Sequence, residues 1–125
     1  MRVVGLICRF LLGLIFLVFG LNIFLGFIPM TPPAGAPGEF LGALVKTTYM
    51  MTIVGTTEVL GGVLLLVGLV PLGVIILAPL IVNIIAFHVV LEPTGLPMAL
   101  IVAAMEAILA FLNRSAFAPL FARAG

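Results

Sequence analysis

Residues 10–28 read FLLGLIFLVFGLNIFLGFI, with Asn22 as the one polar side chain. A helix needs about 20 apolar residues to cross the hydrocarbon core of a bilayer, so this run decides the fold class. It is continuous, whereas the strand of a membrane barrel alternates apolar and polar positions over about 10 residues. It is also too long for the apolar region of a cleaved signal peptide, although Ala34-Gly35-Ala36 has the small residues of a cleavage site.

Reading outward, residues 29–46 contain Pro29, Pro32, Pro33 and Pro37 together with Gly35 and Gly38. This stretch is expected to be a loop, long enough to fold back over its own bundle. A second apolar run covers about 48–69 and ends at Gly68-Leu69-Val70-Pro71-Leu72-Gly73. A third covers about 73–91, with a kink expected at Pro79. The turn Glu92-Pro93-Thr94-Gly95-Leu96-Pro97 leads to a fourth at about 98–113. In the tail, Phe117, Leu120 and Phe121 can lie on a membrane surface. The expected architecture is all-α: one four-helix transmembrane bundle with spans of about 8–28, 48–69, 73–91 and 98–113.

Composition agrees. Hydrophobic residues make up 65% of the 125 positions and charged residues 7%, against about 25% charged in a soluble domain. So few charges cannot cover a water-soluble surface, which excludes a cytosolic enzyme, a nucleic-acid-binding domain and a disordered chain. The lone Cys8 excludes a disulfide scaffold. The expected surroundings are the lipid bilayer and other membrane subunits or further copies of the chain, with no nucleic acid.

The charges set the orientation. Arg2, Arg9, Arg114 and Arg123 lie toward the two termini, while the first loop holds only Lys46. Positive residues stay on the cytoplasmic side, so both termini are expected there, with Glu39, Lys46 and Glu92 outside. Arg9 is expected to snorkel to headgroups.

Each span carries a polar group: Asn22 on the first, Glu58 on the second, Asn83 and His88 on the third, Glu106 on the fourth. A charge at the bilayer centre costs about 2.5–3.5 kcal/mol on insertion scales, so two Glu residues here call for a reason. At about 1.5 Å rise per residue, all five groups fall in the outer half of the membrane. They are expected to form one polar cavity roofed by the Pro-rich loop. Gly55, Glu58 and Gly62 share one helix face, as do Ala99, Ala103, Glu106 and Ala110; small residues allow close helix approach. Gly5, Gly13 and Gly20 form another stripe on the first helix with Arg9, expected to pack on a partner chain. The matching Asn and Glu positions of the two halves hint at a parallel repeat.

Glu58 and Glu106 could relay protons or bind a quinone or a metal. Alternatively they are protonated carboxyls bonded to Asn22 and Asn83. His88 could bond a quinone carbonyl or move a proton; alternatively it bonds the Glu92 turn. No Glu-x-x-His spacing occurs, so no metal is assigned. Thr residues around positions 47–57 are expected to bond back to their own helix. No phosphate loop, nucleophile elbow or dinucleotide fingerprint is present.

Several segments resemble the DoxX-like family of small bacterial membrane proteins. They are Leu14-Ile15-Phe16-Leu17-Val18-Phe19-Gly20-Leu21-Asn22 with Phe24 and Gly26-Phe27-Ile28-Pro29, then Val54-Gly55-Thr56-Thr57-Glu58-Val59-Leu60-Gly61-Gly62. Ala78-Pro79-Leu80-Ile81-Val82-Asn83-Ile84 with Phe87-His88, and Glu106, complete the set. The likeness covers about residues 5–121. It implies a four-helix protein of the bacterial cytoplasmic membrane, associated with oxidoreductase systems, since related proteins are named as subunits of thiosulfate:quinone oxidoreductase or of membrane redox complexes. Asn22, Glu58, Asn83, His88 and Glu106 match the family's motif positions. Similar sequences often carry Lys after the first Asn, where this chain has Ile23.

The functional expectation is a redox-associated membrane protein, not an enzyme on its own, binding a quinone or another small hydrophobic molecule. Two other expectations stand beside it: a non-catalytic accessory subunit of a respiratory or photosynthetic type of complex, and a small transporter acting as an oligomer.

Overall fold

A computed structural model describes all 125 residues. It contains five α-helices and no strand: α1 (Arg2–Leu25), α2 (Ala36–Lys46), α3 (Met50–Leu66), α4 (Val70–Val90) and α5 (Leu96–Leu112). Short 3-10 turns cover Pro93–Gly95 and Arg114–Phe121. α1, α4, and α5 with its leading turn are each long and apolar enough to cross a membrane. α3 has 17 residues, about 25 Å at 1.5 Å per residue, and falls short alone. Joined to α2 across a 94° bend it makes up a fourth candidate span. The chain is thus an all-α protein with three to four helices suited to a membrane.

The stretch expected to be a loop contains α2. Pro37 sits in the first turn of this helix, where its missing N–H costs nothing. Glu39 near the start and Lys46 at the end complement the helix dipole. α3 turns away from α2 through Thr47, Thr48 and Tyr49. Thr48 takes φ 67°, and the Thr47 hydroxyl receives the Met50 N–H at 3.0 Å. Further down, Thr57 bonds back to Ile53 O at 2.8 Å, as expected for an apolar helix. α4 runs through Pro79 without ending.

Four helices close a ring in the order α1, α3, α4, α5 and back to α1. Neighbours are antiparallel: Gly13 of α1 meets Gly62 and Leu66 near the end of α3, while Gly55 near the start of α3 meets Phe24 near the end of α1. Gly5 of α1 lies against Leu112 of α5, so both chain termini are at one end of the bundle. α1 and α3 make the largest contact, and glycine makes it possible. A Cβ on Gly62 would stand 2.7 Å from Gly13 O and from Leu17 N. Those are backbone atoms, which cannot swing aside. Between α3 and α4, Gly61 receives Leu77 and Gly73 receives Leu65.

This corrects the reading of the glycine stripe. Gly13 and Gly20 are buried inside the chain against α3, and Gly5 faces α5; the stripe packs the bundle rather than a partner. Arg9 also has partners within the chain, beside any headgroup it reaches. Its Nε donates to Leu65 O at 2.7 Å and its Nη2 to Leu66 O at 2.9 Å. These carbonyls belong to the last turn of α3, where they lack helix partners. Gly68, at φ 96°, completes the closure: Leu69 N bonds Leu64 O at 2.9 Å and Gly68 N bonds Leu65 O at 3.2 Å, a Schellman pattern.

The packed core gathers toward the end carrying the termini. Cys8, Leu12 and Phe16 meet Leu65, then Val70, Val74, Leu77 and Ile81, with Val102 and Leu109 from α5. Replacing Gly62 with Val should therefore lower the midpoint of thermal unfolding in detergent, by the about 1–3 kcal/mol typical of overpacking. Gly42→Ala, where an added Cβ meets nothing within 4 Å, should leave it unchanged or slightly raised. Equal midpoints for the two variants would contradict the close crossing.

Candidate functional site

At the opposite end the bundle opens. A cavity of about 520 Å³ lies between α1, α2, α3 and α4. α1 contributes Phe19, Asn22 and Ile23; α2 contributes Phe40, Leu41, Leu44 and Val45; α3 contributes Met51, Val54 and Glu58. Leu80, Asn83, Ile84, Phe87 and His88 come from α4. Most of the lining is apolar, with a few polar groups at fixed places, the pattern of a small-molecule pocket.

Glu58 is at the mid-length of α3, about 12 Å from either end at 1.5 Å per residue. It is 9% exposed, and Gly20 makes its room: a Cβ there would stand 2.8 Å from that of Glu58. No donor reaches Glu58 Oε2. The expected pairing of this carboxyl with Asn22 is not formed, because Asn22 is engaged elsewhere. Its Oδ1 accepts the Ile28 N–H at 2.6 Å and its Nδ2 donates to Ile28 O at 3.2 Å. Gly26, left-handed at φ 62°, turns the chain so that Ile28 comes back to this side chain. Asn22 therefore closes the end of α1 and forms a wall of the cavity.

His88 bonds the Glu92 turn, the second of its expected roles, and its ring also lines the cavity. Its Nδ1 lies 3.0 Å from Glu92 O and 3.4 Å from Glu92 Oε2. A carbonyl oxygen can only accept, so Nδ1 carries a proton, and whenever the ring is neutral Nε2 is the acceptor. Gly95 allows this arrangement, since a Cβ there would collide with the imidazole. The Phe87 ring meets His88 edge-on at 5.1 Å and Phe40 at 5.7 Å. Asn83 is exposed and lines the cavity.

Glu106 is not part of this group, which corrects the expectation of one cavity for all five residues. It stands about 15 Å from the start of α5 and about 9 Å from its end at 1.5 Å per residue, nearer the end with the termini. It is 7% exposed and Oε1 has no partner. It does not line the cavity. The depth argument misplaced it because α5 begins at Leu96, earlier than the expected start of the span. No three His, Cys, Asp or Glu side chains converge in a way that would hold a metal ion.

The contribution of α2 was missed from sequence. Its signal was available: Phe40, Leu41, Leu44 and Val45 repeat at helical spacing behind a proline suited to a first turn.

Comparison with protein-family models, with curated proteins and with solved structures returned no match for this chain.

A buried carboxyl without a hydrogen-bond partner burdens the fold. Glu106→Met should hold or raise the unfolding midpoint, as when apolar residues of similar volume replace buried polar groups. A fall of several degrees would show that Glu106 has a partner that stabilises it.

Proposed function

We propose that the chain is a multi-pass protein of the bacterial cytoplasmic membrane, both termini inside, whose α1–α4 cavity binds a quinone or quinol and serves a membrane redox system. The observation that carries this reading is the about 520 Å³ apolar cavity with Glu58, Asn83 and His88 on its lining. A ring-sized amphiphile with oxygens at its edge suits such a slot: apolar walls hold the ring while polar groups set its direction. The Asn83 amide can donate to a quinone carbonyl. His88 Nε2 can accept from the hydroxyl of the reduced form. The unpartnered Glu58 oxygen offers a third point for a proton or a hydrogen bond. Phe40 and Phe87 supply aromatic faces and edges. The segments resembling DoxX-like proteins support the same assignment.

The orientation rests on charge. Both termini share one end of the bundle with Arg2, Arg9 and Arg114, whereas Glu39, Lys46 and Glu92 belong to the other end. That asymmetry supports termini on the inner side. A fluorescent reporter fused after Gly125 should mature inside the cell; a periplasmic reporter active at that position would reverse the assignment.

Lipid extracts of the protein purified from native membranes should contain quinone in a stoichiometric amount. Asn83→Leu and Glu58→Gln should each lower retention about fivefold, the equivalent of about 1 kcal/mol for one net hydrogen bond. Asn22→Leu should mainly lower stability, because it opens the α1 turn. Quinone-free extracts, together with failure of a photoreactive quinone to label the cavity, would sink the reading.

A further inference from the structure

We propose that the end of the bundle carrying the termini holds a second site, which takes the phosphate headgroup of an anionic lipid. A concavity of about 310 Å³ lies there between α1, α4 and α5, apart from the first cavity. Leu6, Val70, Leu109 and Leu112 form apolar walls, and Arg2 and Arg9 supply the charge. This combination fits an amphiphile, with an acyl chain against the walls and a phosphodiester against the guanidinium groups.

Arg9 is held in place for that task. Its Nε and Nη2 each spend one N–H on the last carbonyls of α3, at 2.7 and 2.9 Å. A guanidinium has five N–H donors, so three remain on a group whose position the helix end fixes. A planar, pre-positioned fork suits a phosphate better than a free lysine would. No carboxylate competes: none of the four acidic residues lines the concavity, and Glu92 lies beside His88 at the far end. The site does not depend on what the first cavity binds.

The test uses the full chain, purified in mild detergent and offered phosphatidylglycerol and phosphatidylcholine of equal chain length, with retained lipid counted by native mass spectrometry. The wild type should keep phosphatidylglycerol in preference. Arg2→Gln should reduce that preference about fivefold, the effect of one interfacial cation. Leu6→Trp, which fills the concavity from an exposed position, should reduce it without removing any charge. Glycerol 3-phosphate at the same concentration should leave the bound lipid in place. Equal retention of the two lipids, wild-type preference in both variants, or displacement by glycerol 3-phosphate would each overturn the proposal.

Discussion

The approach of α1 to α3 governs the rest of the molecule. With lipid as apolar as leucine, helices in a bilayer gain little from burying hydrophobic surface and must gain from close contact instead. Gly13 against Gly62 brings two backbones within reach of each other, and Gly20 opens the notch that receives Glu58. The same contact carries α3 to Arg9, whose guanidinium supplies the donors that the end of α3 lacks. Without the glycines, the polar residue on α3 would face either lipid or a clash.

A gradient along the bundle follows from this contact. At the end with the termini, the α3–α4 connection is short and doubly closed, by the Gly68 turn and by Arg9, and the buried apolar cluster fills the interior. At the other end the α1–α3 connection is long, a cavity lies between the helices, and α2 borders it with few contacts to α3. Segments with few buried contacts open at low cost, and binding sites are drawn from them. The cavity is therefore in the half of the bundle that packing leaves incomplete.

Three of the long helices, α1, α4 and α5, were legible in the sequence because a membrane helix must be apolar for most of its length, whereas α3 is shorter than the expected run and reaches span length only with α2 across the bend. The polar interruptions were legible for the same reason: each carries a cost that has to be met somewhere. What each polar group does was not legible, since that depends on contacts between distant segments. Asn22 shows this. Its position in an apolar run looked like a ligand group, yet a left-handed Gly26 four residues later brings Ile28 back to occupy both ends of the amide. The glycine stripe shows it again: periodicity identified a close-packing face on α1, but could not say whether the neighbour was α3 or another chain. The helix α2 was hidden by a different cause, the weight given to proline and glycine as breakers, when a proline in a first turn begins a helix.

Glu58 and Glu106 illustrate how two similar residues part company. Both are about nine-tenths buried and both have an oxygen that nothing in the chain satisfies. Insertion alone does not tell them apart, because each adds a similar cost to its helix. Their surroundings do. Glu58 borders a cavity large enough for a ring-sized molecule, with a histidine and an asparagine on the same lining. Glu106 is on the α5 face that also buries Ala99, Val102 and Leu109. Glu58 thus combines an unpartnered oxygen with a place on the cavity lining. Of the two carboxyls, Glu58 alone borders the α1–α4 cavity, and any role of Glu106 has to be sought along the helix bundle itself.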